Sequence, residues 1–218
     1  MPEAAASATG GTGPGAAPAP VPAGPVPAGP ARIRDPARKE RILAAAADLV
    51  AGHGYHAVSI SDIGAAAGVT GPAIYRHFDS KSAVLVALFD QVIDGMLASA
   101  AEIVSSAASE HEALAQLVAN QVEFVIGDRE LARVYHHEIN NLPTEDRRRL
   151  RRKQRLYLEE WVHVVAELRG GLPDEEGRAL VHAAIGVIQS ALFHHSALPQ
   201  ARLAELLTTS ARAVLAAG

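Results

Sequence analysis

Two residues that favour the position just before a helix, Ser59 and Thr70, stand on either side of Gly68, and this spacing constrains the fold more than any other feature. Only a short helix fits between Ser59 and Gly68. A second short helix must begin at Thr70, with Pro72 inside its first turn, where the missing backbone N–H has no partner to lose. Asp62, three residues after Ser59, completes an acidic variant of the capping box. Ile63, Ala67, Val69 and Ile74 offer apolar contacts that hold the two helices at a fixed angle, and the small residues at 64–67 let them approach closely. Two short helices joined by a glycine turn are the layout of a helix-turn-helix, whose second helix enters the DNA major groove.

The rest of the 218-residue chain is compatible with such a unit. From Arg32 onward apolar residues recur with the helical period, and no strict alternation persists. The expected fold class is all-α with about nine helices. After a first helix over 37–51, the two short helices and a long fourth helix starting beyond Ser80, five more are expected near 111–127, 128–140, 143–169, 174–195 and 200–216. Prolines 36, 72, 143, 173 and 199 fall at their boundaries, and Gly52, Gly68 and Gly170–Gly171 read as C-terminal stops. Residues 1–31 are mostly Ala, Pro and Gly, a composition that buries too little apolar surface to fold, so a disordered tail is expected there. The expected domains are therefore this tail, a helix-turn-helix domain over 32–82, and a helical ligand-binding and dimerisation domain over 83–218.

Composition excludes several functions. Cysteine is absent, which removes disulfides, thiolate metal sites and thiol catalysis. Net charge is −4, so any nucleic-acid contact must come from a local patch. The start lacks the basic residues and continuous apolar run of a signal peptide, and no later segment reads as an uninterrupted membrane span. A cytoplasmic protein without a membrane partner is expected. No Ser-His-Asp set, glycine-rich phosphate loop or paired carboxylates in an apolar setting appears, so no catalytic residue and no cofactor is nominated. The adjacent pairs His136-His137 and His194-His195 point apart on a helix, so no metal site is expected either.

The run Ile63-Gly64-Ala65-Ala66-Ala67-Gly68-Val69, followed by Ile74-Tyr75-Arg76-His77-Phe78 and Lys81, resembles the DNA-binding domain of the TetR (tetracycline repressor-like) family. The resemblance covers about residues 37–90; beyond it, length, helix count and layout are similar. It implies that Tyr75, His77 and Lys81 contact the DNA backbone, a role suited to a phenol, an imidazole and an ammonium as donors to phosphate oxygens. Ser59 and Ser61 offer hydroxyls or backbone N–H groups to another phosphate. Thr70, Gly71, Pro72 and Ala73 face the base edges, small and apolar enough to read thymine methyls, and Arg76 is the one long donor beside them. Arg32, Arg34, Arg38, Lys39 and Arg41 form a basic segment within reach of an adjacent minor groove. Phe78 is expected in the core.

The resemblance also implies a homodimer through the last two helices. The eighth carries Leu180, Ala184, Val187 and Ala191 beside a line of Val181, Ile185, Ile188 and Leu192, with small residues Ala183, Ala184 and Gly186. The ninth offers Leu203, Leu206, Leu207, Val214 and Leu215. Two recognition helices roughly 34–36 Å apart then meet successive major grooves of a palindromic operator.

Arg147–Arg155 holds seven basic residues in nine. Leu150, Gln154, Tyr157, Trp161, Val164 and Leu168 share one helical stripe, with Arg147 continuing it and Arg151 at its border. An apolar pocket walled by Tyr157 and Trp161 and rimmed by Arg147 and Arg151 suits a ligand with a greasy body and an anionic head. The Asn140-Asn141-Leu142-Pro143, Arg-rich and Trp161 stretch is similar to that of TetR-like regulators of lipid breakdown, which implies an acyl-CoA thioester as effector. A solvated helix face is the alternative for the same arginines. The expected function is a repressor released from DNA by a small molecule; an activator and a ligand-independent DNA-binding dimer are the alternatives.

Overall fold

The computed structural model describes residues 36–217. The expected tail over 1–31, and Arg32 and Arg34 with it, lie outside the described residues. Among these there are nine α-helices and no strand: α1 Pro36–His53, α2 Ile60–Ala66, α3 Gly71–Ile74, α4 Lys81–Ser106, α5 Glu110–Gly127, α6 Arg129–Glu138, α7 Thr144–Leu168, α8 Asp174–Gln189 and α9 Gln200–Leu215. Short 3-10 turns, Ile139–Asn141 and Ser190–Leu192, follow α6 and α8.

The helix starts are set by local chemistry. Ser59 and Asp62 form the reciprocal capping box: the Asp62 N–H donates to the Ser59 hydroxyl at 3.1 Å, and the Ser59 N–H to the Asp62 carboxylate at 2.9 Å. Ser80 and Ser109 cap α4 and α5 by the one-way bond, each hydroxyl accepting from the N–H three residues on. Thr70 occupies the cap position of α3, but its hydroxyl makes no capping bond and the residue is exposed. Gly68 takes the left-handed conformation at φ +66° that turns the chain between α2 and α3. Gly52, expected to end α1, lies inside it; Gly54, at φ +81°, is the stop.

Ile63, Gly64, Ala67, Ile74 and Phe78 are buried, and α2 and α3 pack against each other, with α1 against α2 and α4. At Gly64 an added Cβ would lie 3.4 Å from the Val69 carbonyl and 3.7 Å from the Ile74 side chain, ordinary contact distances that mark how tightly the two short helices pack. Regular α3 ends at Ile74, not near His77–Phe78. The chain continues in a tight turn in which the His77 and Phe78 N–H groups both donate to the Ile74 carbonyl.

The helix α4 is, among the described residues, the segment that comes nearest to a membrane span by length and composition. It contains an 18-residue window of mean hydropathy 1.6. Asp90 and Asp94 interrupt it, however, and both bind α7: Arg149 and Lys153 (2.8 Å) pair with Asp90, and Lys153 also reaches Asp94 at 2.7 Å. Val84, Leu85, Leu88, Phe89 and Ile93 are buried, and α4 packs against α1, α5 and α7 as a core helix of the bundle. Burial raises the Asp90 carboxyl, but hydrogen bonds from Arg149 and Lys153 outweigh it and hold the group below the ordinary carboxylate range.

Candidate nucleic-acid interface and internal cavity

The turn from Thr70 to His77 presents an outer surface on a buried scaffold. Thr70, Pro72, Tyr75 and Arg76 are exposed, Tyr75 at 53%, while Ala73 and His77 are half-buried. Gly71 opens α3 beside them. An exposed phenol beside buried Ile74 and Phe78 is held by its backbone and needs no side-chain partner. Ser61 is exposed on α2.

Two residues expected to face phosphate are occupied. The Ser59 hydroxyl donates to Asp62 at 2.6 Å while accepting the Asp62 N–H, and its own N–H is spent on the same carboxylate. Lys81 donates to the carbonyls of Tyr55 and Val58, both at 2.9 Å, and its ammonium lies 4.3 Å from the centre of the Tyr55 ring. One of its three N–H groups remains for another acceptor. Lys81 therefore ties the start of α4 to the loop before α2, a structural task that the sequence motif does not disclose.

A cavity of about 380 Å³ lies among α4, α5, α6, α7 and α8. Ile93, Met96, Val125, Leu158, Ile185 and Leu192 give it apolar walls; Gln121, Tyr135, His136, Asn140, Arg151, Gln154, Tyr157, His182 and Gln189 supply its polar groups. Its size falls within the roughly 300–1,000 Å³ of small-molecule sites. Gln121, 2% exposed, is the buried polar residue of this core and accepts a 2.8 Å hydrogen bond from the Tyr157 hydroxyl. Burial pushes the Tyr157 phenol well above its usual range, so it stays a neutral donor. Burial does the same to Tyr135, whose buried hydroxyl lies near Gln154 without a bond of good geometry. His136 is pulled below its ordinary range by burial and by His137, which favours a neutral imidazole in the wall. The rings of His136 and His137 both pack on Phe193, at 4.9 and 5.9 Å, rather than pointing apart.

The ligand residues expected from sequence divide evenly. Arg151 and Tyr157 line the cavity, Arg151 with its guanidinium 2.6 Å from the Asn140 side-chain oxygen. Arg147 and Trp161 do not line it. Arg147 donates to the Asn140 carbonyl at 2.8 Å and holds the turn before α7. Trp161 is fully buried in the core; its indole N–H lies beside the Tyr157 oxygen without meeting it in hydrogen-bond geometry. One signal for the missed lining was available: Gln121 interrupts the apolar stripe of Leu117, Val118, Val122 and Val125 on α5. Asn140, His182 and Gln189 carry no such signal, because only the packing of α6 and α8 brings them to the cavity.

The faces of α8 and α9 also differ from expectation. Val181, Ala184, Ile185 and Ile188 are buried in the chain's own core. Among the residues that α8 and α9 expose, beside acids, arginines and hydroxyls, are small and apolar ones: Ala179, Ala183 and Gly186 on α8, and Leu206 and Ala213 on α9.

Comparison with known proteins agrees with this division. Residues 42–88 match the family model described as bacterial regulatory proteins, tetR family, and residues 107–191 the one described as tetracyclin repressor-like, C-terminal domain. The HTH-type transcriptional repressor KstR2 of Rhodococcus jostii is 29% identical over 110 residues, 50% of this chain and 54% of that protein. The fatty acid metabolism regulator protein of Bacillus subtilis is 29% identical over 118 residues, 54% of this chain and 61% of that protein. The chain thus spans little more than half the length of these two curated relatives. The crystal structure of the transcriptional regulator FadR from Bacillus subtilis in complex with stearoyl-CoA superposes with a TM-score of 0.66 at 22% identity, covering 79% of this chain and 96% of that one.

Proposed function

Because this chain belongs to the tetR family of bacterial regulatory proteins, we propose that it is a cytoplasmic transcriptional repressor that a small molecule releases from a palindromic DNA operator. The observation that carries this reading is the solvent-facing Thr70–Arg76 surface on a rigid pair of short helices. In it Thr70, Gly71, Pro72 and Ala73 meet base edges, Arg76 a guanine or a phosphate, and Tyr75, His77 and Ser61 the backbone. Lys81 gives its remaining N–H to a phosphate, while Ser59 fixes α2. Residues 32–82 form the DNA-binding domain and 83–218 the ligand-binding and dimerisation domain. A homodimer forms through the exposed face of α8 and α9, and sets the two recognition surfaces at the groove repeat.

The effector occupies the α4–α8 cavity and is an acyl-CoA thioester. The cavity's apolar walls with Arg151 at one side suit an acyl chain with an anionic head, and a structural relative was crystallised with stearoyl-CoA. Bound effector favours an arrangement that DNA does not, and the coupling is reciprocal. The test is a fluorescence-anisotropy titration of duplex DNA, selected by the protein from a random pool, with and without palmitoyl-CoA. The expected result is at least tenfold weaker DNA binding with palmitoyl-CoA. Unchanged affinity rules out acyl-CoA as effector, and failure to enrich any sequence rules out the operator.

A further inference from the structure

The cavity and the helix-turn-helix are joined by a polar chain that runs through the end of α6. At the cavity, Arg151 holds the Asn140 side chain at 2.6 Å, and Arg147 holds the Asn140 carbonyl at 2.8 Å. Asn140 sits in the three-residue 3-10 turn that follows α6. The next residue, Asn141, donates to one carboxylate oxygen of Glu138 at 3.1 Å, and the other oxygen lies 3.6 Å from His56 Nε2 in the loop between α1 and α2. The rings of Tyr55 and His56 stand 5.2 Å apart at their centres. Tyr55 is in turn covered by the Lys81 ammonium, which also binds the Val58 carbonyl, one residue before the Ser59 cap of α2. Burial first, and the negative charge of Glu138 second, hold the Tyr55 phenol above its ordinary range.

Resting on the reading of the chain as an effector-released DNA binder, we propose that Glu138 is the joint through which the state of the cavity reaches the helix-turn-helix. The other end of α6 is clamped: Arg129 donates to the carbonyls of Ala191 and His194, at 2.8 and 2.7 Å. A change at the cavity is therefore expressed at the far end of α6, where Arg147 and Arg151 hold Asn140 between the buried Ile139 and Leu142. An anionic effector that draws Arg151 away from Asn140 loosens that turn, and Glu138 then leaves the Tyr55–His56 loop. Without effector the joint holds the loop, and with it the start of α2, in the DNA-competent arrangement. Glu138, Asn140 and His56 are positioning residues, acting on DNA through α2 and α3.

The test needs no effector. Arg151→Ala and His56→Ala alter exposed side chains on different elements, and each is expected to weaken binding of the selected duplex about threefold, the scale of one partly exposed polar contact. The double variant is expected to be no weaker than either single variant, because both break one chain of contacts. Glu138→Gln, which keeps an acceptor for Asn141 but loses the charge facing His56, is expected to match His56→Ala. Additive losses of about ninefold in the double variant would overturn the joint while leaving DNA binding intact. Amide hydrogen exchange reads the joint without DNA: Arg151→Ala is expected to speed exchange over residues 54–60. If the wild type enriches no duplex but this exchange rises, the functional reading fails and the joint stands; if exchange over 54–60 is unchanged, the joint is wrong.

Discussion

The helix-turn-helix places its chemistry on the outside of a buried scaffold, and the C-terminal bundle encloses its own. Tyr75 and Arg76 stand in solvent while Ile63, Ile74 and Phe78 beneath them are buried; Gln121 and Tyr157 meet each other inside the protein, away from water. The first arrangement separates function from stability, because an exposed side chain contributes little to folding. The second couples them, because each buried polar group needs its partner whether or not an effector is present. Apart from the Arg151–Glu138 joint, mutations should therefore act on DNA affinity alone in one region and on stability together with effector response in the other.

The largest effect expected from this contrast is at Trp161. Its truncation to alanine empties a fully buried site in α7 and should cost about 3–5 kcal/mol, read as a fall in denaturation midpoint. A shift under 1 kcal/mol would mean the bundle core is more plastic than its packing implies. Next is Tyr157→Phe, which strands the Gln121 oxygen without its donor and should cost about 1–3 kcal/mol, with DNA affinity of the effector-free protein unchanged. Equal stability of that variant would place water or another donor at Gln121. Tyr75→Ala should show the reverse pattern: about tenfold weaker binding of the selected duplex, near 1.4 kcal/mol, and the same denaturation midpoint as the wild type. Loss of stability there would collapse the distinction between the two regions.

The smallest effect concerns pH. Asp90 has a folded-state pKa below its unfolded value, so its contribution is fully present above about pH 4 and fades as pH falls through the lowered folded value. Arg149 and Lys153 are partly exposed and keep other partners in Asp146 and Asp94, so Asp90→Asn should cost only about 1 kcal/mol at neutral pH. The difference from wild type should shrink below pH 4. A difference that grows on acidification would contradict the sign of the shift.

The same contrast explains what the sequence disclosed. The caps at Ser59 and Ser80, the glycine at position 68 and the burial of Phe78 follow from neighbours a few residues away, and the short-range pattern around them specifies two packed short helices. Where distant partners decide, local reading failed. Lys81 looked like a free ammonium beside the recognition surface, yet its acceptors lie in the loop before α2. Trp161 and Arg147 sit on the cavity-facing helix at the right period, but one helical turn either side of the cavity is enough to send one into the core and the other to a backbone carbonyl. The apolar line of α8 was legible as apolar; whether it faced a partner or the chain's own core depended on how α8 packs on α7 and α9.

The central claim is that the exposed turn over Thr70–His77 reads duplex DNA. Its most direct measurement is a competition, at one fixed salt concentration, between the duplex the protein selects from a random pool and a scrambled duplex of the same composition. A preference of about a thousandfold or more for the selected sequence is expected. Equal affinity for the two duplexes would contradict it.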